Sequence, residues 1–555
     1  MVKAEELNGK QFDAVIIGGG LGGLQCGYIL SKKGLKVCIL EQNMVLGGAL
    51  QSFKRRVHNQ NGGCMQETGN VMAEFDTGLH YVGGLDQGET LHSIFSYFDL
   101  LKLPWHKMDP DSFDEVIING QSYLYSNGYD AFARRMTDYF PHQKENIIRY
   151  CKLLEEVGKT LPKSLEPREA DNVYTQSLFA QSAYSYLKET ITDPLLIEVL
   201  SGTSLKMELT PNLPLYTFAQ INSSFIQSAY RLNGGGNLIS DSLCSSIEKM
   251  GGIVSTRARV DEIKELESNN QASGLHSGNS CGLQLIVNGS VEIMARSVIS
   301  NLHPAATLEL VKESAHIRKI YRNRINRLEN TTGMFTVNLA LKDGMVEYKD
   351  RNCYIYTMNE GESLWTNYRK YTSGQPVSGE PNTTGNRAAG ADNIDSMLIS
   401  YYSREKGVKS ANFAKQLDLL VPMSWSEVEM FKGTRPGHRG EEYETIKEKR
   451  AEQCIEFAQN AIPGLKDMVT DIYTSTPLTY NNYTATACGS AYGIRKDYNN
   501  LMQTLLTPKT PVPNLYLTGQ NLNLHGVLGV SMTSFFTCAE IIGMEAATDG
   551  LFFEK

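Results

Sequence analysis

Residues Gly18-Gly19-Gly20-Leu21-Gly22-Gly23 have the types and spacing to bring backbone against a phosphate. Gly18, Gly20 and Gly23 fit G-x-G-x-x-G. In that pattern the first glycine permits a tight turn, the second lets a pyrophosphate approach, and the third lets a helix pack closely on a strand. Leu21 and Gly22 share the turn and are candidate cofactor contacts. Glu41 stands at the end of the next apolar run, where a carboxylate accepts hydrogen bonds from an adenosine ribose and disfavours a 2′-phosphate. Gln42 adjoins it. The chemistry expected of this set is dinucleotide binding. The alternative is a glycine-rich turn in an α/β domain with no ligand.

The ten histidines show no ligand spacing, so no metal site is expected. His80 and His525 differ from the rest by lying in glycine-rich segments. No H-E-x-x-H or G-x-S-x-G occurs. Gly158-Lys159-Thr160 lacks the first glycine of a phosphate loop, because position 153 is Leu, and its context is helical.

These residues need a frame. Phe12-Asp-Ala-Val-Ile-Ile17 reads as a strand buried on both faces. Leu24 to Lys33 has helical apolar spacing and stops at Gly34. Leu35 to Leu40 reads as a second strand. The whole is a β-α-β unit ending on an acid. Near the other end, Pro513 to Gly519 reads as a strand running into a glycine turn, and a helix is expected over about 531–547.

The 555 residues suggest three to four domain-sized units at roughly 150 residues each. Lys and Arg total 53 and Asp and Glu 61, a net charge of −8. An acidic chain does not gain affinity from phosphate neutralisation, so no nucleic-acid partner is expected. No run of about 18 apolar residues would span a membrane, and the first residues show no signal peptide. The ten cysteines include no C-x-x-C. A reduced, cytoplasmic chain is the simplest expectation.

Five further segments carry a resemblance. Gly47-Gly48-Ala49-Leu50-Gln51-Ser52 resembles the GG-x-x-x-S/T segment of two-dinucleotide-binding-domain flavoproteins, with Ala49 where many members have Arg. Arg55 or Arg56 would then serve the pyrophosphate. Phe75-Asp76-Thr77-Gly78-Leu79-His80-Tyr81-Val82-Gly83 resembles the FDxGxHxxG segment of retinol saturases, within the phytoene desaturase and carotenoid isomerase superfamily. Ile299-Ser300-Asn301, Gly489 to Gly493 and the ending from Asn514 to Glu540 are similar to the same group.

The resemblance implies an α/β fold with a discontinuous Rossmann-like FAD-binding domain and a mixed α+β substrate domain. FAD contacts would come from the first glycine turn, Glu41, Gln42, Gly47, Gly48, Ser52 and Gly78. Val260 would lie by the adenine, although it is equally a core valine. Gly519, Gln520, Gly529 and Val530 would lie by the flavin, with Gly529 bare so that no Cβ pushes the ring away. His80 and His525 become the catalytic candidates, since a His beside a flavin donates a proton near physiological pH. The plainer reading of each is a hydrogen bond that holds its loop.

The FAD domain would comprise 11–108, 228–308 and 474–555. The substrate domain would comprise 109–227, helical in character, and 309–473, with strands near Phe335–Leu341 and Met397–Tyr402. The stripe Phe132, Met136, Tyr139 and Phe140 reads as core. His58–Gly63, Ser268–Cys281 and Thr372–Ile394 read as solvated loops.

The function implied is FAD-dependent oxidation or reduction of carbon–carbon bonds in a lipophilic isoprenoid or polyene, with saturation favoured. Desaturase and isomerase chemistry stay open on the same fold. The alternatives in kind are an amine oxidase, a non-catalytic lipid-binding flavoprotein and an NAD-dependent dehydrogenase. A polyene partitions into bilayers, so peripheral membrane contact is expected.

Overall fold

The computed structural model describes residues 1–57, 71–165, 173–266, 282–372, 394–403 and 412–553. The loops expected at His58–Gly63 and Ser268–Cys281 lie outside the described residues, as does nearly all of Thr372–Ile394.

Two seven-stranded sheets organise the chain. In the first, Ile253–Ser255, Val37–Leu40, Gln11–Ile17 and Val291–Ser300 run parallel in that order. The ten-residue strand Val291–Ser300 is shared. Its first half pairs antiparallel with Leu283–Val287, which pairs with Val260–Glu265, and its last three residues pair parallel with Leu515–Leu517. Segments some 500 residues apart in sequence thereby meet in one sheet. The strand Gln11–Ile17 is apolar and buried over its last four residues because both faces are covered. Helices Leu21–Lys32, Asn237–Lys249 and Gly526–Ile542 pack together in one core cluster.

The second sheet runs Val469–Ser475, Gly333–Leu341, Gln416–Met423, Ser396–Tyr402, Asn352–Tyr356, Asp114–Ile118, Gln121–Tyr125. Only Asn352–Tyr356 with Asp114–Ile118 is parallel. Alternate residues serve different cores, as the two-residue period of a strand requires. Tyr354 and Tyr356 join the cluster formed with helices Lys144–Ser164 and Leu215–Gln227, while Cys353 and Ile355 join the cluster with helix Glu441–Ala458. Phe132, Met136 and Phe140 are buried in the first of these clusters.

Three elements differ from the sequence reading. The first helix begins at Leu21, so Gly22 and Gly23 lie inside its first turn. A Cβ on Gly23 would run into the carbonyl oxygen of Gly18 and 3.2 Å from Ile16 Cγ2, so only glycine admits this close packing. The last long helix begins at Gly526, not near Ser531, and ends at Gly543 with φ of +81°. The segment 109–227 contains a β-hairpin, Asp114–Ile118 with Gln121–Tyr125, besides its helices. Its turn is Asn119-Gly120, with φ of +49° and +82°. Asn-Gly between alternating apolar residues is a strong hairpin signal, and the helical reading of the segment passed over it. Among the described residues no helix is long and apolar enough to cross a membrane.

Candidate active site

A cavity of about 400 Å³ runs between the two sheets. At one end it is walled by Gly18, Gly20, Leu21, Gly22, Glu41, Gln42, Gly47, Gly48 and by Ala258, Arg259 and Val260. It also meets Gly78, Gly519, Gln520 and the start of the last long helix, including Val530. Its far part is lined by His80, Tyr81, Lys206, Phe225, Met334, Leu398, Leu420, Tyr492 and His525.

The first end is built from backbone. Glu41 is buried. Its Oε2 accepts from Gly19 N at 2.8 Å and its Oε1 from Asn43 N at 2.8 Å. Gly47 N donates to Gly19 O at 2.8 Å, which ties the second glycine pair to the first. The side chain of Asn301 fills the space where three glycines converge. A Cβ on Gly20 would come within 2.9 Å of its Nδ2, on Gly22 within 2.9 Å of its Oδ1, and on Gly519 within 2.5 Å of its Oδ1. Asn301 ends the Ile299-Ser300-Asn301 segment, but its place among these glycines is not legible from one sequence.

Two helices end at this cavity. The helix at Leu21 has Gly20 as its N-cap, and the helix at Gly526 has His525; neither cap makes a side-chain hydrogen bond to the helix. The first N–H groups of a helix lack intrahelical partners, and this end of the dipole favours negative charge. The cavity thus offers an uncapped helix N-terminus beside the glycine turn and another at the start of the last long helix. A pyrophosphate suits the first, and a ring that becomes anionic on reduction suits the second.

Three residues from the sequence reading stand behind the wall. Ser52 Oγ lies 2.9 Å from both Asp76 Oδ1 and Asn237 Oδ1. Gly23 lies inside the first helix. Gly529 lies inside the last long helix, where a Cβ would meet Leu524 Cβ at 2.5 Å and its carbonyl carbon and oxygen at 2.7 Å. Its bareness makes room for the loop that precedes the helix, not for a ring. Gly529→Val is therefore expected to cost about 1–3 kcal/mol through overpacking and to displace Gln520–His525. A thermal midpoint and flavin content equal to wild type would remove this account. Arg55 and Arg56 are exposed on the strand Ser52–Val57 and do not reach the cavity.

Both candidate histidines line the cavity, and both are neutral at neutral pH. Burial, with the Arg231 guanidinium, pushes His80 down to about 4. Its Nδ1 is 3.2 Å from Tyr402 Oη and 3.8 Å from Asp418 Oδ2. Burial likewise pushes His525 down to about 4. His525 Nε2 is 3.1 Å from Lys206 O, so the Nε2–H tautomer donates there, and the ring packs on Tyr492 at 4.7 Å between centroids. The expected proton donation from an imidazolium meets this obstacle, because burial removes the proton that would be given.

Two buried lysines carry no sequence signal. Lys496 Nζ donates to the carbonyls of Thr504, Asn521 and Leu522 at 2.9, 3.1 and 2.6 Å, with burial pushing it down to about 7. It pins the loop that carries Asn521 along the cavity. Lys206 donates to Asp114 Oδ2 at 3.2 Å. Among the described residues no cluster of His, Cys, Asp and Glu suits a metal.

Comparison with known proteins agrees with this architecture. The model of an NAD(P)-binding Rossmann-like domain matches residues 16–98. The chain is 25% identical to the all-trans-retinol 13,14-reductase of Macaca fascicularis, over 97% of this chain and 87% of that protein. It is 23% identical to the chloroplastic prolycopene isomerase of Daucus carota, over 87% of this chain and 72% of the relative. Among solved structures, putrescine oxidase bound to putrescine superposes with a TM-score of 0.58 at 15% identity, covering 96% of this chain and 99% of that one. This last likeness concerns the fold.

Proposed function

We infer that this chain, a retinol saturase-like member of the phytoene desaturase and carotenoid isomerase superfamily, uses FAD to act on carbon–carbon bonds of a lipophilic isoprenoid or polyene. Saturation of a double bond is the favoured direction. The observation that carries the reading is the single cavity that joins a dinucleotide-type glycine cradle to a chamber lined by Phe225, Met334, Leu398 and Leu420.

The residues divide the work along that cavity. Gly20, Leu21 and Gly22 would present backbone N–H groups to the pyrophosphate, while the N–H of Gly18 donates to Leu40 O at 2.8 Å and fixes the turn to the sheet. Glu41 receives the adenosine ribose, and Val260 stands by the adenine. Gly47, Gly48, Gly78, Gly519, Gln520 and Val530 line the remaining length of the cofactor. When bound, FAD supplies the hydride chemistry. The helix starting at Gly526 would offer its unpaired N–H groups to negative charge that collects on a reduced ring, with no charged side chain needed. The apolar residues of the chamber exclude water and hold the chain of the substrate. His80 and His525, neutral, act as hydrogen-bonding residues of the chamber, not as stored acids.

The test is mass spectrometry of polyene and isoprenoid lipids incubated with the photoreduced protein. A gain of two hydrogens is expected. A loss of two, or a retention shift without a mass change, would replace saturation by desaturation or isomerisation. Peroxide release from amines with no change in any lipid would overturn the reading.

A further inference from the structure

The far part of the cavity mixes apolar side chains with His80, Tyr81, Tyr492 and His525, and one ammonium stands among them. Lys206 lines it, and its side chain is 7% exposed. The Nζ lies 4.1 Å from the centroid of Phe225, 5.4 Å from Tyr81 and 5.9 Å from Tyr354. Its partner Asp114 is wholly buried.

Asp114 relies on the lysine for its charge but has hydrogen-bond donors besides it. Tyr81 Oη donates to Asp114 Oδ2 at 2.8 Å, and Asn352 Nδ2 donates to Oδ1 at 3.2 Å. Tyr81 Oη also lies 2.7 Å from Tyr354 Oη. An ammonium has three N–H donors. Among the described residues, Asp114 is the one acceptor recorded for them. A buried ion pair is poor value for stability, since well-packed apolar residues of the same volume do as well or better. An ammonium with donors left over, at the wall of this chamber, is suited to a ligand acceptor.

We propose that Lys206, clamped by Asp114, anchors the polar end of the substrate by donating a hydrogen bond to a hydroxyl or carbonyl oxygen. The proposal rests on the reading of the chamber as the substrate site and narrows it to oxygenated polyenes and isoprenoids. The pair is neutral as a whole, so a neutral oxygen is accommodated without new charge. A carboxylate would add an unbalanced charge to a buried site. A pure hydrocarbon would leave the spare donors unmet. Burial lowers Lys206 and raises Asp114, so each ion depends on the other.

The experiment uses all-trans-retinol, its deoxy hydrocarbon and the corresponding carboxylic acid. Binding to the flavin-loaded protein is followed by polyene fluorescence. The variant is Lys206→Met with Asp114→Asn, which removes both charges and keeps size and the contacts to Tyr81 and Asn352. Flavin absorbance and hydrocarbon affinity report whether its chamber is intact. The wild type is expected to prefer the alcohol over the hydrocarbon by about 10-fold or more, as for a charge-assisted hydrogen bond, and the variant to lose that preference. Equal binding of alcohol and hydrocarbon to the wild type, a preference that survives in the variant, or tightest binding of the acid would each overturn the anchor while leaving the chamber as a polyene site. Failure of all three to bind the wild type would overturn that broader reading as well.

Discussion

Glu41→Ala is expected to lose most of its flavin on dialysis and to unfold at a lower temperature than wild type. The carboxylate does two jobs in the structure. Its two oxygens accept from the backbone N–H groups of Gly19 and Asn43, so it holds the glycine turn in the shape that meets the phosphates. The same group is placed to receive the ribose. A hydrogen bond to a charged group is worth about 1.5–3 kcal/mol, and an N–H left buried without an acceptor adds its own penalty. Truncation removes both backbone acceptors at once, so a stability loss of about 3 kcal/mol or more is expected even without cofactor. Glu41→Gln keeps one carbonyl oxygen as an acceptor and should fall between the two. The readouts are the ratio of flavin to protein absorbance after dialysis and the thermal midpoint of the apoprotein. An Ala variant with full flavin would refute the ribose role. An unchanged apoprotein midpoint would refute the bracing role.

The parts of this fold that were legible in the sequence are those where local pattern and backbone chemistry coincide. Phe12–Ile17, the glycine turn and Val37–Leu40 announce themselves because a buried parallel strand is continuously apolar and a phosphate turn needs glycine at fixed offsets. The start of the last long helix was misplaced for a physical reason. Gly526 and Gly529 are weak helix formers, so local propensity points to Ser531. Packing of Gly529 against Leu524 overrides it. The hairpin Asp114–Tyr125 was legible in Asn119-Gly120 and was passed over in favour of the helical residues around it.

The chamber is harder to read. Lys206 sits in a short 3₁₀ turn, Ser204–Lys206, and Asp114 begins a strand 92 residues earlier. Neither has a local pattern that tells a buried pair from two surface charges. The same holds for Asn301, whose importance lies in the three glycines around its amide. A fold brings such groups together through sheet order, and sheet order joins Leu515–Leu517 to Val291–Ser300 across more than two hundred residues. The histidines show the converse. Their glycine-rich context singled them out as catalytic candidates, and both line the cavity, but context does not report burial, and burial decides protonation.

That burial sets the pH behaviour. Between about pH 6.5 and 4 the protein is expected to lose stability through His80 and His525. Each ring has an ordinary value of 6.5 and is pushed down to about 4 in the fold. In this window the unfolded chain takes up protons that the folded chain refuses. Stability therefore rises with pH across the window and falls as pH falls through it. A displacement of this size corresponds to roughly 3 kcal/mol per ring at the low end. His303, also lowered by burial, acts in the same direction. Glu89 acts in the opposite one. Burial raises it to about 7, so the fold gains stability as it is protonated on the way down. Because these terms overlap, the wild-type curve alone does not isolate the two rings. The comparison that does is with His80→Gln and His525→Gln combined, which remove both titrations and leave Glu89 and His303 in place. The thermal midpoint of the wild type should fall by several degrees more than that of the double variant between pH 7 and 4.5. Parallel curves would mean that the two rings titrate at their ordinary value in the fold, and a wild type that gains on the double variant as pH falls would mean that the fold holds them protonated; either would return the imidazolium to contention as a proton donor in the chamber.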